Sequence, residues 1–113
     1  MNKRSLGEKI EKEIANYLKI EGFEILVANW TCRWGELDIV ARDKEELVFV
    51  EVKYRKTTKF GYPVESFTSK KKKSLLRTIN YYLQKNPEKT WRFDLVTVLG
   101  DKVKHYKSVS LEG

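Results

Sequence analysis

The sequence predicts an α/β fold: one mixed β-sheet flanked by helices, in the order α-β-β-β-α-β, with an extra strand at the C-terminal end. Three observations predict it. Helical apolar stripes occur at 5–21 and 69–86. Between them run short β-branched segments bounded by turn residues. The run Leu47-Val48-Phe49-Val50 is apolar without alternation, the mark of a strand covered on both faces. The 113 residues are expected to form a single domain spanning 1–113, long enough for a core.

The first helix opens on Ser5-Leu6-Gly7-Glu8, a capping-box pattern with Ser5 as N-cap. Ile10, Ile14, Tyr17 and Leu18 form its apolar stripe, and Gly22 ends it. Glu8 lies on the flank of that stripe, in line with Glu11 and Ala15. It serves either as the cap partner or as an acid looking into a cleft, and spacing alone does not choose. Phe23 to Trp30 reads as the first strand, with Ile25 and Val27 on one face and Leu26 and Ala28 on the other. Thr31 to Gly35 links it to a hairpin. In that link Arg33 and Trp34 either clamp a nucleic-acid backbone or pack and solvate, while Cys32 fills apolar space.

The hairpin spans 35–55. A loop centred on Lys44-Glu45 sets Asp38 directly across from Glu51, and Lys53 follows on the same face as Glu51. Opposed Cβ atoms lie about 5 Å apart, so these carboxylates repel unless a cation intervenes. A divalent metal with hard oxygen ligands suits such a pair. The competing reading is a solvated Glu51–Lys53 ion pair of roughly 0–1 kcal/mol.

Tyr54 to Pro63 is basic and aromatic and reads as a loop able to meet phosphates through Arg55, Lys56 and Lys59. The second helix carries Leu75, Leu76, Ile79 and Leu83 on its core face and stops at Asn86-Pro87. Its first turn holds Lys70, Lys71, Lys72 and Lys73, with Arg77 beyond. Cations there oppose the helix dipole, so an anion is the natural occupant. Trp91 to Leu99 is an internal strand; Asp94 within it pairs with Arg92 or a lysine, or supports the metal site. Val103 to Tyr106 is a last strand with His105 on the surface.

Lys and Arg exceed Asp and Glu by 23 to 16, a net charge of +7, which favours a polyanionic partner. The 41% hydrophobic and 12% aromatic content argues against disorder. No apolar run approaches the ~20 residues of a membrane span. The start Met1-Asn2-Lys3-Arg4 has no apolar stretch behind it, so a signal peptide and a membrane association are not expected and the cytoplasm is. One Cys and one His exclude a zinc cluster and an internal disulfide, so any metal is held by oxygens.

Asp38 followed by Glu51-Val52-Lys53 resembles the core motif of the PD-(D/E)XK nuclease superfamily. The wider set is similar to the YraN-like family of small bacterial proteins, related to archaeal-type Holliday junction resolvases. That set comprises Gly7-Glu8, Asn29 to Asp38, Phe49 to Arg55, Phe60-Gly61, Lys70 and Arg92-Phe93-Asp94, within roughly residues 7–98. The resemblance implies a restriction-endonuclease-like core and a metal-dependent phosphodiesterase site. In it Glu8, Asp38 and Glu51 are the metal-ligand acids and Lys53 is the motif lysine, the four together forming the catalytic set. Glu36 matches the family's Gly-Glu-x-Asp and reaches the cleft or marks a bend. The function expected is a Mg²⁺- or Mn²⁺-dependent endonuclease acting on DNA, branched or repair intermediates included. Arg33, Arg55, Lys56, Lys59, Lys70, Lys71, Lys73 and Arg77 would hold the nucleic acid. Paired nicks at a junction would call for a homodimer. The alternatives are a non-catalytic nucleic-acid-binding module on the same fold, or an interaction protein docking through strand 103–106 or its tryptophans.

Overall fold

The structure, a computed structural model, describes residues 3–112; Met1, Asn2 and Gly113 lie outside them. The elements run α1 (Lys3–Ile20), β1 (Glu24–Cys32), β2 (Gly35–Asp43), β3 (Glu46–Arg55), a 3₁₀ turn at Pro63–Ser66, α2 (Ser69–Lys85), β4 (Trp91–Leu99) and β5 (Lys102–Tyr106). They build one five-stranded sheet in the order β1-β2-β3-β4-β5. The first three strands are antiparallel neighbours, β4 lies parallel to β3 across the α2 crossover, and β5 returns antiparallel. The predicted α/β core with its extra C-terminal strand is the observed one.

Alternation along β3 sends Val48 and Val50 into a cluster with Ile10, Ile14 and Leu18 of α1. Leu47 and Phe49 enter a second cluster with Leu75, Ile79 and Tyr82 of α2. The helices therefore cover opposite faces, and β3 is apolar on both because both are roofed. Gly22 ends α1 as expected. With φ 99° it lets its own N–H reach Lys19 O and the Phe23 N–H reach Leu18 O, a Schellman closure sealed by Phe23 against Leu18. Thr68 caps α2 by accepting the Lys71 N–H at 3.3 Å, and Asn86 closes it on Tyr82 O. On the core face of α2, Thr78 and Tyr82 are buried alongside the anticipated Leu75 and Ile79.

Four expectations are corrected. The helix begins at Lys3, so Ser5 sits within its first turn rather than at its cap. A bulge between Ile25 and Val27 takes up Leu26, so Ile25 packs on the α1 side and Val27 on the α2 side. Strand alternation had placed them together. β3 continues through Tyr54 and Arg55, and the remaining loop closes in a 3₁₀ turn where Glu65 accepts the Tyr62 N–H at 3.1 Å. His105 is not a surface residue. Its side chain is 7% exposed and bonds Asp94 at 2.8 Å, with the Tyr17 hydroxyl at 3.4 Å.

Candidate metal and nucleic-acid site

The site forms where β2 parts from β3. Their ladder keeps the predicted register from Asp43↔Glu46 to Ile39↔Val50, so one further step in that register sets Asp38 opposite Glu51. There the backbone pairing ends. The Val52 N–H donates to the Asp38 carboxylate, Oδ2 at 2.9 Å, in place of a main-chain carbonyl. Asp38 thereby holds the fork open and is itself fixed, with only 9% of its surface exposed.

The neighbouring hairpin turns over at the same point. Val27 pairs with Val40 and Trp30 with Leu37, yet all four pack on the α2 side although each couple is three residues apart. Between them lie Asp38 and Asn29, whose φ of 53° is a left-handed conformation that Asn tolerates better than most residues. The reversal aims Asp38 and Glu36 to a common point. Among the described residues Glu11, Glu36 and Asp38 each bring a carboxylate oxygen within 4.8 Å of the other two. The Asn29 side chain lies near enough to favour the Glu11 carboxylate, while Glu11 Oε1 is buried with no hydrogen-bond partner.

Acids crowded this way resist ionisation. The Glu11 carboxyl is pushed up to about 7, first by burial and then by the Asp38 and Glu36 carboxylates, Glu8 adding a smaller push. Burial, then contact with Asp38, holds Glu51 well above the usual carboxylate range, against the pull of Lys53. The Lys53 ammonium sits 3.4 Å from Glu51 Oε2. Lys71 reaches the same spot from the first turn of α2, and the neighbouring Lys53 lowers its pKa. Glu11, Glu36 and Asp38 thus converge, and Lys53 and Lys71 stand against Glu51 beside them. Three converging carboxylates and an orphaned buried oxygen fit a hard divalent cation held by oxygen.

The remaining predicted residues divide by position. Glu8 is exposed one turn before Glu11, and Glu11 is a helix acid with a carboxylate oxygen within 4.8 Å of those of Asp38 and Glu36. Sequence reasoning passed over Glu11, although its alignment with Glu8 on the helix face was the available signal. Glu36, left open between cleft and bend, reaches the cleft. Lys70 is exposed beside the site that Lys71 enters. Arg55, Lys56 and Phe60 border a recess against Leu6 and Gly7 of α1, and Lys59 lies over the Phe60 ring. Arg33, Lys73 and Arg77 gather elsewhere, around Trp34.

Asp94 does not support the metal cluster. It is not among the converging acids, and its own carboxylate is fully buried with other donors. It accepts from Arg92 Nε at 2.9 Å, His105 Nε2 at 2.8 Å and the Ser108 N–H at 3.0 Å. Arg92 also binds Asp43 and Glu46, each at 3.0 Å, so this network ties the β2–β3 turn to β4 and the C-terminal segment. The expected Arg92 partnership holds, and the role is structural.

A forked mixed sheet between two helices, with acids and a lysine at the fork, defines the class: an α/β domain with a carboxylate–lysine centre. The chain belongs to the uncharacterised protein family UPF0102, the YraN-like family expected from its sequence, whose pattern matches residues 10–98. It is 46% identical over 111 residues to a UPF0102 protein of Lachnoclostridium phytofermentans, covering 96% of this chain and 94% of that one. A UPF0102 protein of Caldicellulosiruptor saccharolyticus is 45% identical over 100 residues, covering 87% and 85%. One of Fusobacterium nucleatum is 38% identical over 111 residues, covering 96% and 93%. No helix among the described residues is long and apolar enough to cross a membrane.

Proposed function

We propose that the chain is a metal-dependent endonuclease that hydrolyses phosphodiester bonds in DNA, built on a PD-(D/E)XK-like core. One observation carries the reading: Asp38, Glu51 and Lys53 meet at the β2–β3 fork, where Glu11 and Glu36 complete an oxygen-rich cluster. Asp38, Glu36 and Glu11 would hold Mg²⁺ or Mn²⁺, with Glu51 against Asp38 beside them. Such a cation supplies polarisation of the scissile phosphate and a water acidified for attack. The chain's own groups do the rest. The Val52 N–H fixes the Asp38 carboxylate, and Lys53 and Lys71 present two ammonium groups where a phosphate's negative charge develops. The lysines of the α2 first turn and the basic 55–59 segment add phosphate contacts whose strength falls with salt.

The test uses labelled linear and branched DNA with Mg²⁺, Mn²⁺ or EDTA. Cleavage should require metal and fall about 100-fold or more in Asp38→Ala and Glu51→Ala, in line with loss of a main electrostatic group. Equal cleavage by wild type and both variants defeats the proposal. Salt-sensitive binding with no cleavage under any condition makes the chain a nucleic-acid-binding module instead.

A further inference from the structure

We infer that the Arg33–Trp34 turn and the flank of α2 form a separate subsite for an unpaired nucleic-acid strand, with bases stacked at Trp34. The inference rests on the nucleic-acid reading above and names the strand feature recognised away from the acidic fork.

The turn joining β1 to β2 is Arg33-Trp34, closed by the Cys32↔Gly35 pair. It is pinned to α2. The Thr78 hydroxyl, whose one proton is shared between Ser74 O at 3.1 Å and Trp34 O at 3.3 Å, touches the turn, and a Cβ on Gly35 would stand 2.9 Å from that hydroxyl oxygen. The backbone of the turn is therefore held against α2, and Trp34 remains 38% exposed. Two guanidinium groups lie over it, Arg33 at 4.6 Å and Arg77 at 5.0 Å from the ring centre. Beside it opens a recess of about 700 Å³ lined by the exposed Lys73, Asn80 and Gln84 and the half-buried Leu76 and Tyr81. Among the described residues that line it none is acidic.

Each part of the lining selects the occupant. Three cations and no anion select a polyanion. Aromatic and apolar surface at Trp34, Tyr81 and Leu76 would be wasted on a duplex, which hides the faces of its bases and presents sugar and phosphate. An unpaired strand offers both: phosphates for Lys73 and the arginines, and flat bases for an indole or a guanidinium plane. The volume matches pieces of chain at small-molecule scale, about 300–1,000 Å³, rather than the body of a duplex. The amides of Asn80 and Gln84, one helical turn apart, add donors and acceptors for base edges. Chain connectivity ties the subsite to the fork, because Glu36 follows Trp34 by two residues and belongs to the acidic cluster.

The experiment measures binding of the full chain to fluorescent single-stranded oligothymidylate, an abasic strand of equal length and a duplex, in EDTA at fixed salt. Trp34→Ala should weaken oligothymidylate binding about tenfold or more, as loss of one stacking platform does, and change duplex binding less than about twofold. Trp34→Phe, which keeps an aromatic face and guards against a folding artefact, should retain most of the affinity. The abasic strand should bind wild type no better than oligothymidylate binds Trp34→Ala. Equal losses on single strand and duplex, or abasic binding as tight as thymidylate binding, overturns the inference. The Asp38→Ala variant separates the two readings. Trp34-dependent strand binding without metal-dependent cleavage anywhere upholds the subsite and defeats the nuclease. Cleavage with strand binding indifferent to Trp34 does the reverse.

Discussion

Removing the carboxylate of Asp94 should destabilise the fold heavily while leaving the chemistry of the fork alone. Asp94 is fully buried and accepts hydrogen bonds from Arg92, His105 and the Ser108 N–H. In Asp94→Ala the His105 ring and the Ser108 amide lose that acceptor, and Arg92 keeps only Asp43 and Glu46. Breaking a buried pair from one side costs about 3–5 kcal/mol; with two acids still on Arg92 the lower end, ~3 kcal/mol, is expected. At roughly 2.1 cal/mol/K per residue, 113 residues unfold with an entropy of about 0.24 kcal/mol/K, so Tm should fall by about 12 °C. Asp94→Asn keeps the shape and an acceptor for Ser108 and should lose about half as much.

The pH dependence gives a second handle on the same carboxylate. Burial alone would raise the Asp94 pKa, but the bonds from His105, Arg92 and Ser108 outweigh it and hold it below the ordinary value. A depressed carboxylate contributes stability that is full above its unfolded pKa of about 3.9 and is lost as pH falls through the folded value. The Tm gap between wild type and Asp94→Asn should therefore be widest near neutrality and shrink below about pH 4. Thermal unfolding followed by circular dichroism from pH 3 to 7 reads both effects. An Asp94→Ala Tm within about 3 °C of wild type, or a gap undiminished at pH 3, refutes the reasoning.

Gly35→Ala should cost roughly 1–3 kcal/mol, since it strains a φ of 147° and drives a Cβ to 2.9 Å from Thr78 Oγ1. A chemical-denaturation midpoint equal to wild type would show that the turn is not pinned as described. Glu11→Gln should weaken Mn²⁺ binding about 10- to 100-fold by calorimetry, while Glu8→Gln should change it much less. The opposite ranking would make Glu8 the helix acid that serves the cluster.

Much of the fork is legible in the sequence. Period-2 alternation puts Glu51 and Lys53 on one face of a strand, and a two-residue turn at Lys44-Glu45 sets the register opposite Asp38. The unalternating run Leu47 to Val50 announces a strand roofed on both faces, and both core clusters use it. These are local properties, because strand parity and turn length are written over a few residues and packing has little freedom to change them.

What tertiary structure decided are the places where a local rule has two outcomes of similar energy. Glu8 and Glu11 sit three residues apart on one helix flank. Only the seating of α1 against Val48, Val50 and Ile39 brings Glu11 to the fork. The bulge at Leu26 and the left-handed Asn29 reverse the alternation of β1 twice, and no pattern of apolar residues encodes either. His105 lies in a strand of lysines that reads as exposed, yet the buried charge of Asp94 draws it inward. Trp34 reads equally as packing or contact in the sequence, and only the fold brings Arg77 of α2 to the ring beside Arg33. Sequence periodicity determined which residues share a strand face; the packing of helices on the sheet determined which faces meet, because that choice is made by contacts distant in the chain.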